Sequence, residues 1–303
     1  STPPATMALP RLHQPVMVAE VLELLAVQPD GIYVDGTVGG GGHAREIAAR
    51  LQSGLLIGLD CDPNALELAR AHLQDFVDRV KLVHANFAQL DRVLNDLNIQ
   101  TVNGILLDLG VSLTQLDTPE RGLSFRLEGP LDMRLDPTQE LTAADLVNSL
   151  DERELCKIFR EYGEERWAAR IAKNIVRTRR VAALRTTTDL VRIIERSIPA
   201  AVRYKSRIHP ATRVFQALRI AVNNELENLQ KALAVGCERL ACRGRFVVIS
   251  FHSLEDRIVK RFFRERLKTG QAEQIWGPLR PSPEECAQNP RARSAKLRAL
   301  QKA

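Results

Sequence analysis

The chain has 303 residues, 45% of them hydrophobic and 26% charged, and a formal net charge of +6. That length holds one large domain or two ordinary ones, with a core large enough to need no staples. No run of about 18 apolar residues exists, which excludes a helical membrane span; five cysteines (Cys61, Cys156, Cys237, Cys242, Cys286) without a Cys-x-x-Cys pair argue for reduced thiols and against a zinc knuckle.

The charge is unevenly spread. Residues 1–150 carry 10 basic and 20 acidic side chains, whereas residues 151–213 carry 16 and 8 and residues 257–303 carry 12 and 4. An acidic half and two basic segments suit a polyanion docking on one face, although a plain solvated helix surface would look the same.

Residues 1–15 contain four prolines and read as a flexible leader, assigned to 1–12, rather than a secretory signal. Val18, Val21, Leu22 and Leu25 recur at helical spacing. The apolar run Ile32-Tyr33-Val34 then ends at Asp35 and is followed by Gly36, Gly39, Gly40, Gly41 and Gly42, with a helical pattern opening at Ala44. Strand, glycine loop and helix in that order form a nucleotide cradle in doubly wound folds; a plain flexible loop is the alternative. Leu55–Asp60 reads as a second strand closing on an acid about 20 residues past the loop, where a carboxylate meets ribose hydroxyls, or where it simply caps the helix after Pro63. Val80–His84 is a third strand, followed by Phe87, and residues 104–110 form a fourth, apolar on both faces and carrying Asp108. In an open parallel sheet the ends of these strands converge on one crevice.

Residues 117–136 have no clean period and read as an ordered loop. Helical patterns follow at 143–149, 152–162, 165–180 and 188–197, and one long amphipathic helix begins at His209-Pro210 and runs through Leu233. Residues 244–250 are a fifth strand, Ser253 with Asp256 approximates a capping box for the next helix, and the alternation at 295–300 fits an edge strand.

Gly39-x-Gly41-x-x-Ala44 formally fits a dinucleotide fingerprint. However, an acid closing the first strand suits S-adenosylmethionine better, because that ligand offers an ammonium and no pyrophosphate. Phe87 then serves as a cover for the adenine or as ordinary core.

Several stretches together resemble the ribosomal RNA small subunit methyltransferase H (MraW) family. They are His13-Gln14-Pro15-Val16-Met17, Asp35-Gly36-Thr37 through Gly41-Gly42-His43, Leu107-Asp108-Leu109-Gly110, Gly129-Pro130-Leu131-Asp132-Met133-Arg134, Tyr162-Gly163-Glu164-Glu165, His209-Pro210-Ala211-Thr212-Arg213, Ser250-Phe251-His252-Ser253-Leu254-Glu255-Asp256-Arg257 and Asn289-Pro290-Arg291-Ala292-Arg293-Ser294. The resemblance covers nearly the whole chain after residue 12. It implies an α/β fold, a Rossmann-like class I S-adenosylmethionine-dependent methyltransferase sheet with an inserted all-helical subdomain. The expected boundaries are 13–118 with 208–303 for the core and 119–207 for the insert.

It further implies N4-methylation of a cytidine in the decoding region of small-subunit rRNA, with free rRNA or the small ribosomal subunit as substrate. Cofactor contacts carried over are Gly41, Gly42, His43, Asp60, Phe87, Asp108 and Gln115, with Asp35 a partner for the methionine ammonium. Ser112-Leu113-Thr114-Gln115 departs from the family's usual Ser-Ser-Pro-Gln, which bears on the placement of Gln115.

The chemistry needs the amine oriented on the methyl donor and a group to take its proton, for which Asp108 is the candidate. No metal is required, and no cysteine follows a proline as the C5 route would want. RNA contacts are expected from Arg134, Arg177, Arg179, Arg180, Arg203, Lys205, Arg207, His252, Arg291 and Arg293. The cysteines and the resemblance point to a cytoplasmic location, with an organellar matrix or stroma and a homodimer left open. Two other readings stand beside this one: a non-catalytic RNA-binding assembly factor that keeps the fold, and a nicotinamide dehydrogenase.

Overall fold

The computed structural model describes residues 14–303; the leader expected over 1–12 and His13 lie outside them. The described chain forms two compact units, residues 111–225 and residues 14–110 with 226–303. The first is wider at both ends than the expected insert.

The larger unit begins with α1 (Val18–Leu25), β1 (Ile32–Asp35), α2 (Gly42–Ala49), β2 (Leu55–Asp60), α3 (Pro63–His72), β3 (Val80–His84), α4 (Leu90–Asp96) and β4 (Val102–Asp108). Strands and helices alternate, as a parallel doubly wound sheet requires. Pro63 sits in the first turn of α3, whose cap is the Asp62 carboxylate accepting from Asn64 N–H at 3.0 Å. The capping role weighed for Asp60 therefore falls to Asp62.

The helical unit comprises α5 (Leu113–Leu116), α6 (Ala143–Ser149), α7 (Glu152–Gly163), α8 (Ala168–Val181), α9 (Thr187–Ser197), α10 (Ala200–Lys205) and α11 (Thr212–Asn223). Reciprocal capping boxes start α6 (Thr142 with Asp145) and α9 (Thr186 with Asp189). The apolar stripes meet in one core that includes Leu146, Leu155, Phe159, Ile171, Ile175, Leu190, Ile194, Val214 and Leu218. The long helix expected from His209 is two helices, because Asn224 takes a left-handed conformation (φ 49°) that ends α11. His209 precedes the helix, its Nδ1 accepting from Ala211 N–H and its ring stacked on Phe125 at 4.3 Å. Burial, and then the Arg126 charge, hold that imidazole below its usual pKa.

The chain returns to the larger unit with α12 (Glu225–Arg239), β5 (Leu240–Ser250), α13 (Ser253–Lys268), β6 (Ala272–Leu279), α14 (Pro283–Gln288) and β7 (Lys296–Lys302). The sheet order is β3-β2-β1-β4-β5-β7-β6, parallel through β5, with β7 antiparallel to both β5 and β6. Thus β7 is an interior strand rather than the expected edge strand; the edge is β6, which the proline-interrupted sequence did not signal. This is the open, Rossmann-like α/β sheet expected from the sequence.

Residues alternate across it with period two. Tyr33, Leu106, Val247 and Ile249 face a layer formed with α1, α2 and α3, while Val34, Ile105, Leu107, Phe246 and Val248 face α4, α12 and α13. Among the described residues, no helix is long and apolar enough to cross a membrane.

Candidate active site

The strand order reverses between β1 and β4, which makes their carboxyl ends the place for a ligand. Asp35 ends β1 and Asp108 ends β4. Thr37 ties them together: its N–H donates to Asp35 Oδ1 at 3.0 Å, and its hydroxyl accepts from Asp108 N–H at 2.7 Å. Composition does not mark Thr37, but Asp-x-Thr at a strand end is the signal of a side-chain turn.

Asp35 is only 1% exposed. Burial, aided by the charges of Asp108 and Asp60 and opposed by the Thr37 N–H and hydroxyl, pushes its carboxyl up to about 7. A cation arriving beside it would restore the charged form.

The glycine stretch is pinned rather than loose. Val38 N–H donates to Leu59 O, Gly41 N–H to Val38 O, and Gly39 N–H to the Asp60 carboxylate at 2.9 Å. The second Asp60 oxygen takes Asp62 N–H at 2.9 Å. Gly39 (φ 52°) and Gly41 (φ 90°) adopt left-handed geometry, and Gly41 caps α2. Beside them Gly36 is packed so closely that a Cβ there would lie 2.5 Å from Leu107 Cδ2 and 3.2 Å from Phe87 Cβ. Phe87 is half-buried in the short turn after β3, capped by Asn86, so it both lines this end of the sheet and packs on the core.

His43 is buried in α2. Its Nε2 lies 2.8 Å from Val16 O, a backbone acceptor, and its Nδ1 faces Asp108 Oδ2 at 3.7 Å. Arg291 Nη2 lies 3.2 Å from Asp108 Oδ1 and 3.2 Å from Leu109 O, with its guanidinium over the Phe251 ring at 4.0 Å. Its Nη1 is buried with no hydrogen-bond partner. Arg291, expected among the RNA contacts, is thus the cation of the strand-end cluster, and Phe251 is a member that sequence reasoning missed.

The structure brings together Asp35, Gly41, Gly42, His43, Asp60, Phe87 and Asp108 within the sheet unit. Gln115 belongs to the helical unit, where its Oε1 accepts from Ser112 N–H at 3.0 Å in the capping box of α5. His252 is the N-cap of α13, its Nδ1 accepting from Glu255 N–H and its Nε2 3.3 Å from Glu255 Oε2. That cap replaces the one expected from Ser253. Arg293 is exposed.

The expected RNA contacts of the helical unit divide into two kinds. Arg134 grips Asp132 with two donors, at 3.0 and 2.8 Å, and donates to the carbonyls of Pro137 and Gln139. Arg179 donates to the Val147 and Leu150 carbonyls at the end of α6. Both guanidiniums are committed to their own fold. Arg177, Arg180, Lys205 and Arg207 are exposed, and Arg203 lines a cleft of ≈ 470 Å³ with Thr178, Asp189, Arg192 and Arg196.

Three carboxylates at strand ends, one of them pushed toward its neutral form by burial, form a wall suited to a positively charged ligand. Among the described residues no group of three or more His, Cys, Asp or Glu could hold a metal ion.

The model of the MraW methylase family matches residues 11–303. Two curated relatives, each named ribosomal RNA small subunit methyltransferase H, come from Syntrophotalea carbinolica and Geobacter sulfurreducens. They are 52% and 51% identical, over 96% of this chain and 98% of theirs. A solved rRNA methylase from Streptococcus thermophilus aligns over 94% of this chain and 93% of its own, with a TM-score of 0.44 and 11% identity. With a family model spanning the sheet unit and the helical unit alike, and relatives half identical along their whole length, the chain belongs to the MraW methylase family.

Proposed function

We propose that this protein is an S-adenosylmethionine-dependent methyltransferase of small-subunit rRNA that methylates N4 of a cytidine in the decoding region. The relatives' name supports the rRNA of the small subunit as acceptor, and the family resemblance supports the base and the atom. The observation that carries the chemistry is the Asp108 carboxylate, held at the end of β4 by Arg291 and set across the sheet's switch point from buried Asp35.

The residues fit the cofactor. Asp35 is a buried acid whose charge awaits a cationic partner, which the methionine ammonium provides. The backbone of Gly39–Gly42 would let a ligand approach closely because those positions have no side chain, and Asp60, which braces Gly39, is the acid that would meet ribose hydroxyls. Phe87 offers a face for the adenine. When bound, the cofactor supplies a methyl group on a positively charged sulfur.

The chain's own task is to present a weak nucleophile and take its proton. The lone pair of the cytosine amine is delocalised into the ring, so orientation and proton acceptance dominate the barrier. N4 gains a methyl group and loses one proton, which the Asp108 carboxylate accepts. Arg291 donates to one oxygen of that carboxylate, and His43 flanks the other.

The test is transfer of labelled methyl from S-adenosylmethionine to immature small subunits, followed by mass-spectrometric mapping of the modified nucleotide. A label on N4 of one cytidine is expected. A label elsewhere overturns the base assignment, and no label on any RNA favours a non-catalytic assembly factor. Asp108→Asn with full turnover at saturating cofactor would remove Asp108 as proton acceptor.

A further inference from the structure

Between Glu195 and Glu225 the chain contains no acidic residue. Within that stretch lies α10, a short helix in which Tyr204 is 90% exposed. It is the one aromatic among the large hydrophobic side chains that the described residues leave exposed. Val202 and Ile208 on the same segment are exposed as well, and so is Val181 at the end of α8.

Neighbouring residues on a helix point about 100° apart. Arg203 accordingly lines the cleft with Arg192, Arg196 and the acids Asp189 and Glu195, while Tyr204 stands in solvent, followed by the exposed Lys205 and Arg207. At 90% exposure its ring is bare, and its neighbours in sequence are cationic. A planar ring flanked by phosphate-seeking cations, with no acid nearby in sequence, fits a nucleic-acid strand whose bases are unstacked. A duplex hides its base faces, and an acidic protein surface would answer the cations but not the ring.

We propose that Tyr204 is a stacking platform for an unpaired base of the RNA substrate, with Lys205 and Arg207 on the flanking phosphates. The proposal rests on the reading of this chain as an rRNA methyltransferase. It assigns the α10 segment a preference for single-stranded RNA over duplex, and it separates Tyr204 from the strand-end chemistry.

Binding of the full-length protein to a labelled single-stranded RNA of decoding-region sequence, and to the same strand in a duplex, tests it. Tyr204→Ala weakens binding to the single strand about tenfold, in the range of one lost base–aromatic stack, and leaves the salt slope unchanged. Tyr204→Trp retains binding, and its added indole fluorescence, corrected for Trp167 and Trp276 with the wild type, is quenched on adding the single strand. Lys205→Ala with Arg207→Ala instead reduces the salt slope by about 1.4, two single-strand phosphates at roughly 0.7 each.

The proposal is overturned if Tyr204→Ala binds the single strand like wild type, if the duplex loses as much affinity as the single strand, or if the added indole signal of Tyr204→Trp responds to protein partners and not to RNA. Because Tyr204 lies outside the strand-end cluster, the two readings fail separately. Unchanged RNA binding by Tyr204→Ala in an enzyme that still methylates small subunits sinks the platform alone. Tyr204-dependent binding in a protein that methylates no RNA sinks the enzymatic reading alone.

Discussion

Arg291 Nη2 meets Asp108 Oδ1 at 3.2 Å across 183 positions of sequence, and its guanidinium sits over the Phe251 ring, 4.0 Å from the centroid. The pair is 15% and 7% exposed, so water screens it little. Removing the cation leaves a buried carboxylate beside two others. Arg291→Met is therefore expected to cost about 3–5 kcal/mol of stability and roughly tenfold or more in methyl transfer, because Asp108 loses its fixed orientation. Arg291→Lys recovers part of the stability but less of the activity, since an ammonium neither stacks on Phe251 nor reaches Asp108 and Leu109 O with one fork. Urea unfolding and single-turnover rates separate the two losses; equal activity in Met, Lys and wild type would refute the role.

Asp35 predicts a pH dependence with a definite sign. Its folded carboxyl is raised from 3.8 to about 7, so between those values the folded chain holds a proton that the unfolded chain has released. Stability from the neutral form is complete below about pH 4 and is lost as pH rises toward 7, amounting to roughly 4 kcal/mol in full. The ligand-free protein should therefore unfold at lower urea at pH 8 than at pH 5, and Asp35→Asn should flatten that difference. A cationic ligand pairing with Asp35 releases the proton. Calorimetry of cofactor binding near pH 6.5 in buffers of different ionisation enthalpy should register that release in the wild type and not in Asp35→Asn.

The glycine turn predicts a steric effect distinct from any charge. Gly36→Ala places a methyl 2.5 Å from Leu107 Cδ2 and 3.2 Å from Phe87 Cβ, on the core side of the turn. The expected result is a loss of about 1–3 kcal/mol with a raised KM for the cofactor, as Phe87 and the Asp35 turn shift together. Leu107→Ala in the same chain opens space and should return part of the cofactor affinity. An additive double variant would show that the two positions are not in contact through this methyl.

What sequence could and could not convey follows from how local each cause is. The strand-end acids Asp35, Asp60 and Asp108 are legible because an apolar run ending in Asp before a loop is a local pattern. The union of Asp108 with Arg291 is not, because the partner is supplied by the turn before β7, far along the chain. The break between α11 and α12 hides in an unbroken apolar period, since Asn224 keeps the composition of a helix while its backbone leaves it. β6 escapes notice because its faces are mostly exposed and Gly277-Pro278 interrupts it; its pairing to β7 holds it in the sheet. Arginine count likewise cannot say which guanidinium caps a helix and which meets solvent.

That last distinction yields a paired prediction within the helical unit. Arg134 holds Asp132 bidentately and two carbonyls besides, and the Asp132 carboxylate raises its already high pKa further. Arg134→Ala should cost about 1–3 kcal/mol, because it strands an acid and two acceptors in the loop before α6, while leaving the salt dependence of RNA binding at its wild-type slope. Arg177 and Arg180 stand exposed on α8. Their joint replacement by alanine should leave the unfolding midpoint within about 0.5 kcal/mol of wild type and lower the salt slope by about 1.4 on single-stranded RNA. Thermal melts and binding titrations at three or more salt concentrations measure both quantities. A slope that falls with Arg134→Ala and holds with the α8 pair replaced would reverse the assignment of fold and surface roles to these arginines.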